Sequence, residues 1–319
     1  MVDDEQVARS KAIQQRTGKT FHVATRLLPG RVREATYVLY AFFRVADEVV
    51  DDPGGLSPAE QRAELERIRR TALGEEPTDD PVLSAFSELR AEYGIDDRDV
   101  TVFVDAMVAD IDTSRYETYE ELEAYMNGSA AAVGRMMTAV MDPDSPENAL
   151  PHATALGEAF QLTNFLRDVR EDVLERDRIY LPKTTLSEHG VTEAQIESLR
   201  MDDGFQAAMR TELRRAERRY REGVAGIKYL PKDCQLAVLL AAVLYADHHR
   251  LIRKRNYDVL SETPQLSLTR KLYLLAKTRW KWSWNKDPEA VFRDVAAGFG
   301  EERPSPGRGP HDPPAVGTD

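Results

Sequence analysis

The chain has 319 residues, 42% hydrophobic and 31% charged, with 43 Lys and Arg against 55 Asp and Glu for a formal net charge of −12. That length and apolar content suffice for a large core, and an uninterrupted helical array of this size can be one domain. The acidic balance excludes a general nucleic-acid binder, which needs a basic footprint, and the single cysteine, Cys234, excludes a disulfide framework and a cysteine-based zinc site.

The start, MVDDEQVARSK, is acidic and polar and does not read as a signal peptide. The most apolar run, Leu236 to Tyr245, is too short to span a bilayer. With one cysteine, these features predict a cytoplasmic protein in a reducing compartment. An Arg-rich, Asp-rich surface also fits solubility by charge in high salt, as in a halophilic source.

Residues 4–16 predict a short polar helix. In TGKTFHVATRLLP, Gly18, Lys19 and Thr20 offer a cation, a hydroxyl and backbone N–H groups to a phosphate. The stretch lacks the second glycine and the strand of a P-loop and by itself reads as a helix entry. His22 alone reads as a packed or surface histidine. Residues 31–51 predict a long apolar helix, broken by Pro53, Gly54 and Gly55. Ser57 opens the next helix, with Glu60 completing a capping box. A loop at 75–80, helices at 81–92 and 97–112, a turn at Tyr116 to Thr118 and a helix at 118–140 follow.

Pro143 to Pro151 reads as a loop and 152–176 as a helix. Residues 192–200 and 203–228 predict charged helices with solvated faces, and 232–256 a strongly apolar helix containing Tyr245. His248 and His249 are adjacent, so they do not share a face as metal ligands would, and they read as non-catalytic. A last long helix spans 266–285. Its Trp280, Trp282 and Trp284 alternate with Lys277, Arg279 and Lys281. Such a stretch suits a membrane surface, but core packing of Trp280 and Trp284 with solvated lysines is the favoured reading. From about Gly300 the chain is Pro, Gly and charge, so 1–298 is expected to be one domain and 299–319 a disordered tail. Strand signals are nearly absent, and the predicted class is all-α.

Two stretches carry the chemistry. In QLTNFLRDVREDVLERDRIYLP, Gln161, Asn164, Asp168 and Asp172 recur at helical spacing and form one polar stripe about 16 Å long. In YAFFRVADEVVDD, Asp47 and Asp51 repeat the spacing, with Arg44 one turn before. Like charges four apart repel, a cost best tolerated where a cation lies between them. Mg²⁺ takes oxygen ligands and commonly binds through one or two carboxylates plus substrate phosphates. Either motif alone reads as a solvated acidic face. Both together, each with an arginine and apolar neighbours, read as a site that holds a diphosphate through metal ions. In YMNGSAAAVGRMM the small residues suit close helix packing or, equally, the wall of a cavity for a long apolar substrate, with Tyr125 at its polar end.

These residues resemble the squalene/phytoene synthase family of head-to-head prenyl transferases, and within it bacterial and archaeal phytoene synthases. The resemblance rests on TGKTFHVATRLLP, YAFFRVADEVVDD, YMNGSAAAVG, QLTNFLRDVREDVLERDRIYLP and GIKYLP followed by AVLLAAVLY, and covers the chain up to about residue 295. It implies the all-α isoprenoid synthase fold around a central cavity. Asp47 and Asp51 would be the first aspartate-rich motif and Asp168 and Asp172 the second, with Asn164 contributing, all toward Mg²⁺ or Mn²⁺. Arg44, Lys19, Thr20, Gln161, Asn164 and Arg167 match positions near the diphosphates of two geranylgeranyl diphosphate molecules. Tyr125, Tyr245 and Arg270 match the substrate end more weakly. The implied reaction passes through prephytoene diphosphate to phytoene and needs no NADPH, and the apolar product implies peripheral membrane contact. No oligomeric state follows, and a monomer is compatible.

The nearest rival is a squalene or dehydrosqualene synthase using farnesyl diphosphate, which cavity depth would separate. A class I terpene cyclase usually carries an Asn/Ser/Glu triad in place of a second Asp-x-x-x-Asp. A non-catalytic assembly factor of the family should have lost motif carboxylates, and all four stand here. A purely structural acidic helical protein would not set its aspartates among apolar neighbours.

Overall fold

A computed structural model describes residues 10–12 and 23–296. Lys19, Thr20, His22, most of the 4–16 segment and the expected tail lie outside them. The described part is a helical array: α1 (Gly30–Asp51), α2 (Pro58–Ala72), α3 (Pro81–Tyr93), α4 (Asp97–Ala109), α5 (Tyr119–Met126), a π-helical turn (Asn127–Ala131), α6 (Ala132–Met141), α7 (Pro146–Arg167), α8 (Val169–Arg176), α9 (Lys183–Glu188), α10 (Glu193–Glu197), α11 (Asp203–Ala225), α12 (Lys232–Lys254), α13 (Leu268–Trp284) and α14 (Pro288–Val295). Among the described residues no strand forms; a lone parallel bridge joins Arg115 to Ile179.

The helix starts are written in local chemistry. The Ser57 hydroxyl accepts from the Glu60 N–H while the Glu60 carboxylate accepts from the Ser57 N–H at 2.8 Å. Asp80, Asp96, Thr118, Asp202, Ser267 and Asp287 cap their helices in the same sense, each accepting backbone N–H groups that would otherwise be unpaired.

Three packed clusters fill the interior. One joins α1 to α4 with α6 and centres on Phe42, stacked on Phe86 at 3.7 Å between ring centroids. A second surrounds Phe165, stacked on Tyr180 at 3.9 Å. A third holds Tyr220, Leu240 and Leu244 between α7, α11, α12 and the last two helices.

The structure corrects several expectations. Helix α7 begins at Pro146, so 146–151 is not loop; Pro146 suits a first helical position and Pro151 is carried inside the helix. The 152–176 helix is broken at Asp168 (φ −100°, ψ 13°) into α7 and α8. The 118–140 helix contains a π-helical turn at Asn127–Ala131. Helix α11 is not simply solvated: it lies along α7 and buries Phe205, Leu213, Tyr220 and even Glu212 and Glu217, which ion pairs with Arg215 and Arg253 make tolerable. Trp280 and Trp284 are not core residues. They are 61% and 81% exposed, while Trp282 between them is buried. The α14 helix was not anticipated.

Candidate active site

A cavity of about 630 Å³ opens among α1, α4, α6, α7 and α12, a size typical of small-molecule sites. Its lining follows the order of the sequence along two helices. From α1 come Thr36, Tyr40 and Phe43, then Arg44, Asp47 and Asp51; from α7 come Ala149, Leu156 and Phe160, then Gln161, Asn164, Arg167 and Asp168. Both helices therefore present small or apolar residues first and acids last. These stretches run about 22 Å on α1 and about 28 Å on α7 at 1.5 Å per residue. The result is a long, mainly apolar cavity with one acidic end. Phe103, Met107, Met137 and Leu230 extend the apolar wall.

The YMNGSAAAVG segment both packs closely against neighbouring helices and borders the cavity. A Cβ on Gly134 would lie 2.4 Å from the Ala153 carbonyl oxygen, and one on Gly128 2.2 Å from that of Val102, so both glycines permit close helix approach. Ser129, Ala130, Val133 and Gly134 also line the cavity.

At the acidic end the two aspartate pairs face each other across one arginine. Arg176 lies 3.6 Å from Asp51 and 3.4 Å from Asp172. Arg178 lies 3.2 Å from Asp51 and donates to the Asp110 carbonyl at 3.0 Å. Arg44 holds Asp47 at 3.3 Å, and Arg167 donates from Nε to Asp168 at 2.6 Å. The break at Asp168 leaves the spacing of the second pair intact, because the Asp172 N–H still donates to the Asp168 carbonyl at 2.8 Å. Asp177, in the left-handed region at φ 51°, reverses the chain after α8 and returns Arg178 to the acids.

Crowding and burial set the electrostatics. Burial pushes the Asp47 carboxyl up to about 7, against the pull of Arg44 and with added repulsion from Asp51. Asp172 also rises to about 7, through burial and repulsion from Asp168, opposed by Arg176. Asp110, which accepts a hydrogen bond from the Tyr125 hydroxyl at 2.8 Å, is pushed up to about 6 by burial despite Arg178. For these three acids burial outweighs the arginines beside them.

The residues fit a divalent ion with a diphosphate. The donors are all oxygen, as Mg²⁺ prefers. Among the described residues no three His, Cys, Asp or Glu side chains converge on one point. Mg²⁺ does not need that, since it binds through one or two carboxylates and completes its shell with phosphate oxygens and water. Three half-buried cavity residues also carry buried polar atoms without an intramolecular hydrogen-bond partner: Asp110 Oδ1, Arg44 Nε and Ser129 Oγ. Buried polar atoms are normally paired, so such orphans suit a polar ligand.

Of the residues singled out in the sequence, Arg44, Asp47, Asp51, Tyr125, Gln161, Asn164, Arg167, Asp168, Asp172 and Tyr245 all line this cavity. Arg270 does not; its guanidinium grips buried Asp247 at 3.0 and 2.6 Å. His248 and His249 are buried away from the cavity lining, His249 against Thr163 at 2.9 Å. Sequence reasoning missed Asp110, Arg176, Arg178 and Tyr180 as cavity residues. Asp110 has no spaced partner to betray it. Arg176 and Arg178 follow an acidic helix and look like ordinary solvated charges until the turn at Asp177 is seen.

The chain matches the family model described as squalene/phytoene synthase over residues 14–270. It is 33% identical to the 15-cis-phytoene synthase of Synechococcus elongatus over 82% of this chain and 88% of that one. It is 34% identical to the phytoene synthase of Thermus thermophilus over 81% and 87%. Among solved structures it is similar to a dehydrosqualene synthase in complex with ligand, with a TM-score of 0.80, 28% identity and coverage of 88% of this chain and 98% of that one. The fold is that of the isoprenoid synthases, and the chain belongs to the squalene/phytoene synthase family.

Proposed function

We propose that this protein is a phytoene synthase, a prenyl transferase that joins two geranylgeranyl diphosphate molecules head to head, through prephytoene diphosphate, to phytoene and diphosphate. The observation that carries this reading is the pair of Asp-x-x-x-Asp motifs facing each other across Arg176 at the acidic end of a long apolar cavity. Asp47, Asp51, Asn164, Asp168 and Asp172 would hold Mg²⁺, or Mn²⁺ in its place. When bound, the ion supplies charge neutralisation to a diphosphate leaving group.

The chain's own residues do the rest. Arg44, Arg167, Arg176 and Arg178 border the same end and present guanidinium groups to phosphate oxygens. Once the diphosphate leaves, the allylic cation must be kept from water, and Phe43, Phe103, Val133, Met137 and Phe160 supply an apolar wall. Asp110 fixes the Tyr125 hydroxyl where the polar and apolar ends meet. Burial raises that phenol well above its ordinary range, so it stays protonated and able to donate. The reaction needs no nicotinamide reductant.

The likeness to a dehydrosqualene synthase supports a second reading, in which the same site condenses farnesyl diphosphate. Diphosphate release measured separately from each substrate, with Mg²⁺ and with chelator, separates the two. Faster, metal-dependent release from geranylgeranyl diphosphate supports phytoene synthesis. Faster release from farnesyl diphosphate moves the chain to the other branch, and no release from either refutes the enzyme reading.

A further inference from the structure

Helix α13 is apolar on two opposite faces. Leu274, Thr278 and Trp282, four residues apart, are buried toward α12 and α14. Two residues out of phase, and so about 200° round the helix, runs a second row: Leu268, Leu272, Ala276, Trp280 and Trp284, with Tyr273 beside it. This row is in solvent, Leu268 at 70%, Leu272 at 56%, Trp280 at 61% and Trp284 at 81% exposure. It extends about 24 Å along the axis. Scattered exposed leucines need no explanation, but a contiguous row with two tryptophans on one helix does.

Charge narrows the occupant. The α13 sequence, LTRKLYLLAKTRWKWSW, holds Arg270, Lys271, Lys277, Arg279 and Lys281 and no acid, in a chain of net charge −12. Arg279 lies at one edge of the exposed apolar sector; Lys277 and Lys281 lie at the other, where both bond to Asp294 of α14, and Lys286, after the helix end, folds over the buried Trp282 ring at 5.1 Å. Lys281 also lies 5.6 Å from the Trp280 ring. An apolar sector bordered by cations, with tryptophan at its edge, fits the boundary between headgroups and acyl chains of an anionic bilayer. A second copy of the same face would set two cationic rows against each other. Among the described residues no helix is long and apolar enough to cross a membrane, so contact through α13 would be peripheral.

The geometry points to α13 as a docking face for an anionic lipid surface, lying in the interface with Leu268, Leu272, Trp280 and Trp284 inserted and Arg279 against the headgroups. This goes beyond the assigned reaction and does not depend on it, because its readout is lipid binding.

The test is sedimentation of the full-length protein with vesicles of phosphatidylcholine alone or mixed with phosphatidylglycerol, over a series of salt concentrations. The protein should pellet with the anionic vesicles, with a blue shift of tryptophan emission and weaker binding as salt rises. The Trp280→Ser/Trp284→Ser variant should lose at least about tenfold in partition. The Arg279→Gln variant should lose roughly fivefold, on anionic vesicles only. None of these residues lines the cavity, so both variants should keep wild-type circular dichroism and turnover in detergent. Wild-type protein that stays in the supernatant with every vesicle overturns the proposal. So do variants that bind as tightly as wild type, or a concentration-dependent dimer in sedimentation velocity that the tryptophan variant abolishes.

Discussion

Replacing Asp172 by Asn separates what this carboxylate does for chemistry from what it does for stability. Asp172 is 9% exposed, and its carboxyl is raised from 3.8 to about 7 by burial and by Asp168. Because the folded value exceeds the unfolded one, the folded state binds the extra proton between about pH 4 and pH 7. This carboxyl therefore costs stability progressively as pH rises through that window, and the full cost stands above it. A shift of about three pH units corresponds to roughly 4 kcal/mol at pH 8. Asn carries no charge but remains a desolvated polar group, so about half of that should be recovered. In chelator at pH 8, Asp172→Asn should melt above wild type by calorimetry, and the gap should narrow toward pH 5. Mg²⁺ with diphosphate should raise the melting temperature of wild type and not of the variant, and turnover should vanish. A variant that melts below wild type at pH 8 with an unchanged pH slope, or that retains turnover, refutes the reasoning.

Tyr125→Phe should lower kcat more than it changes KM and cost about 1 kcal/mol in denaturant titration, because it strips the hydrogen bond from half-buried Asp110. Gly134→Ala should lower the melting temperature, since the new methyl meets the Ala153 carbonyl oxygen at 2.4 Å and an overpacked contact costs about 1–3 kcal/mol; an unchanged melt would show that α6 and α7 are not in tight contact. With a net charge of −12, self-repulsion should be screened by added KCl. The melting temperature should climb with salt, and a flat response would count against a surface adapted to high ionic strength.

Much of the site was legible because its spacing is local. Asp47 with Asp51, and Gln161, Asn164, Asp168 and Asp172, repeat at the helical period, and that period forces each set onto one face. Ser57 and Glu60 announced a helix start for the same reason. Asp110 stayed hidden because its role depends on Tyr125, fifteen positions away, and on Arg178 from a third segment. Arg176 and Arg178 needed the left-handed turn at Asp177. The tryptophans misled because apolar residues at helical spacing usually pack. Trp282 takes the buried position on α13, and its neighbours two residues away must then point outward. Pro151 misled in the opposite sense: a proline normally argues for loop, but packing of α7 along α11 carries the helix through it. Arg270 was placed at the substrate end by the family resemblance alone, while its partner Asp247 lies on another helix.

The most direct measurement is the hydrocarbon made by purified protein with Mg²⁺ in detergent, given geranylgeranyl diphosphate or farnesyl diphosphate, each with and without NADPH. The account predicts a forty-carbon product from geranylgeranyl diphosphate that needs no NADPH and disappears in chelator. A thirty-carbon product from farnesyl diphosphate as the main activity would contradict the substrate assignment, and no product from either substrate in folded protein would contradict the reading of the acidic end itself.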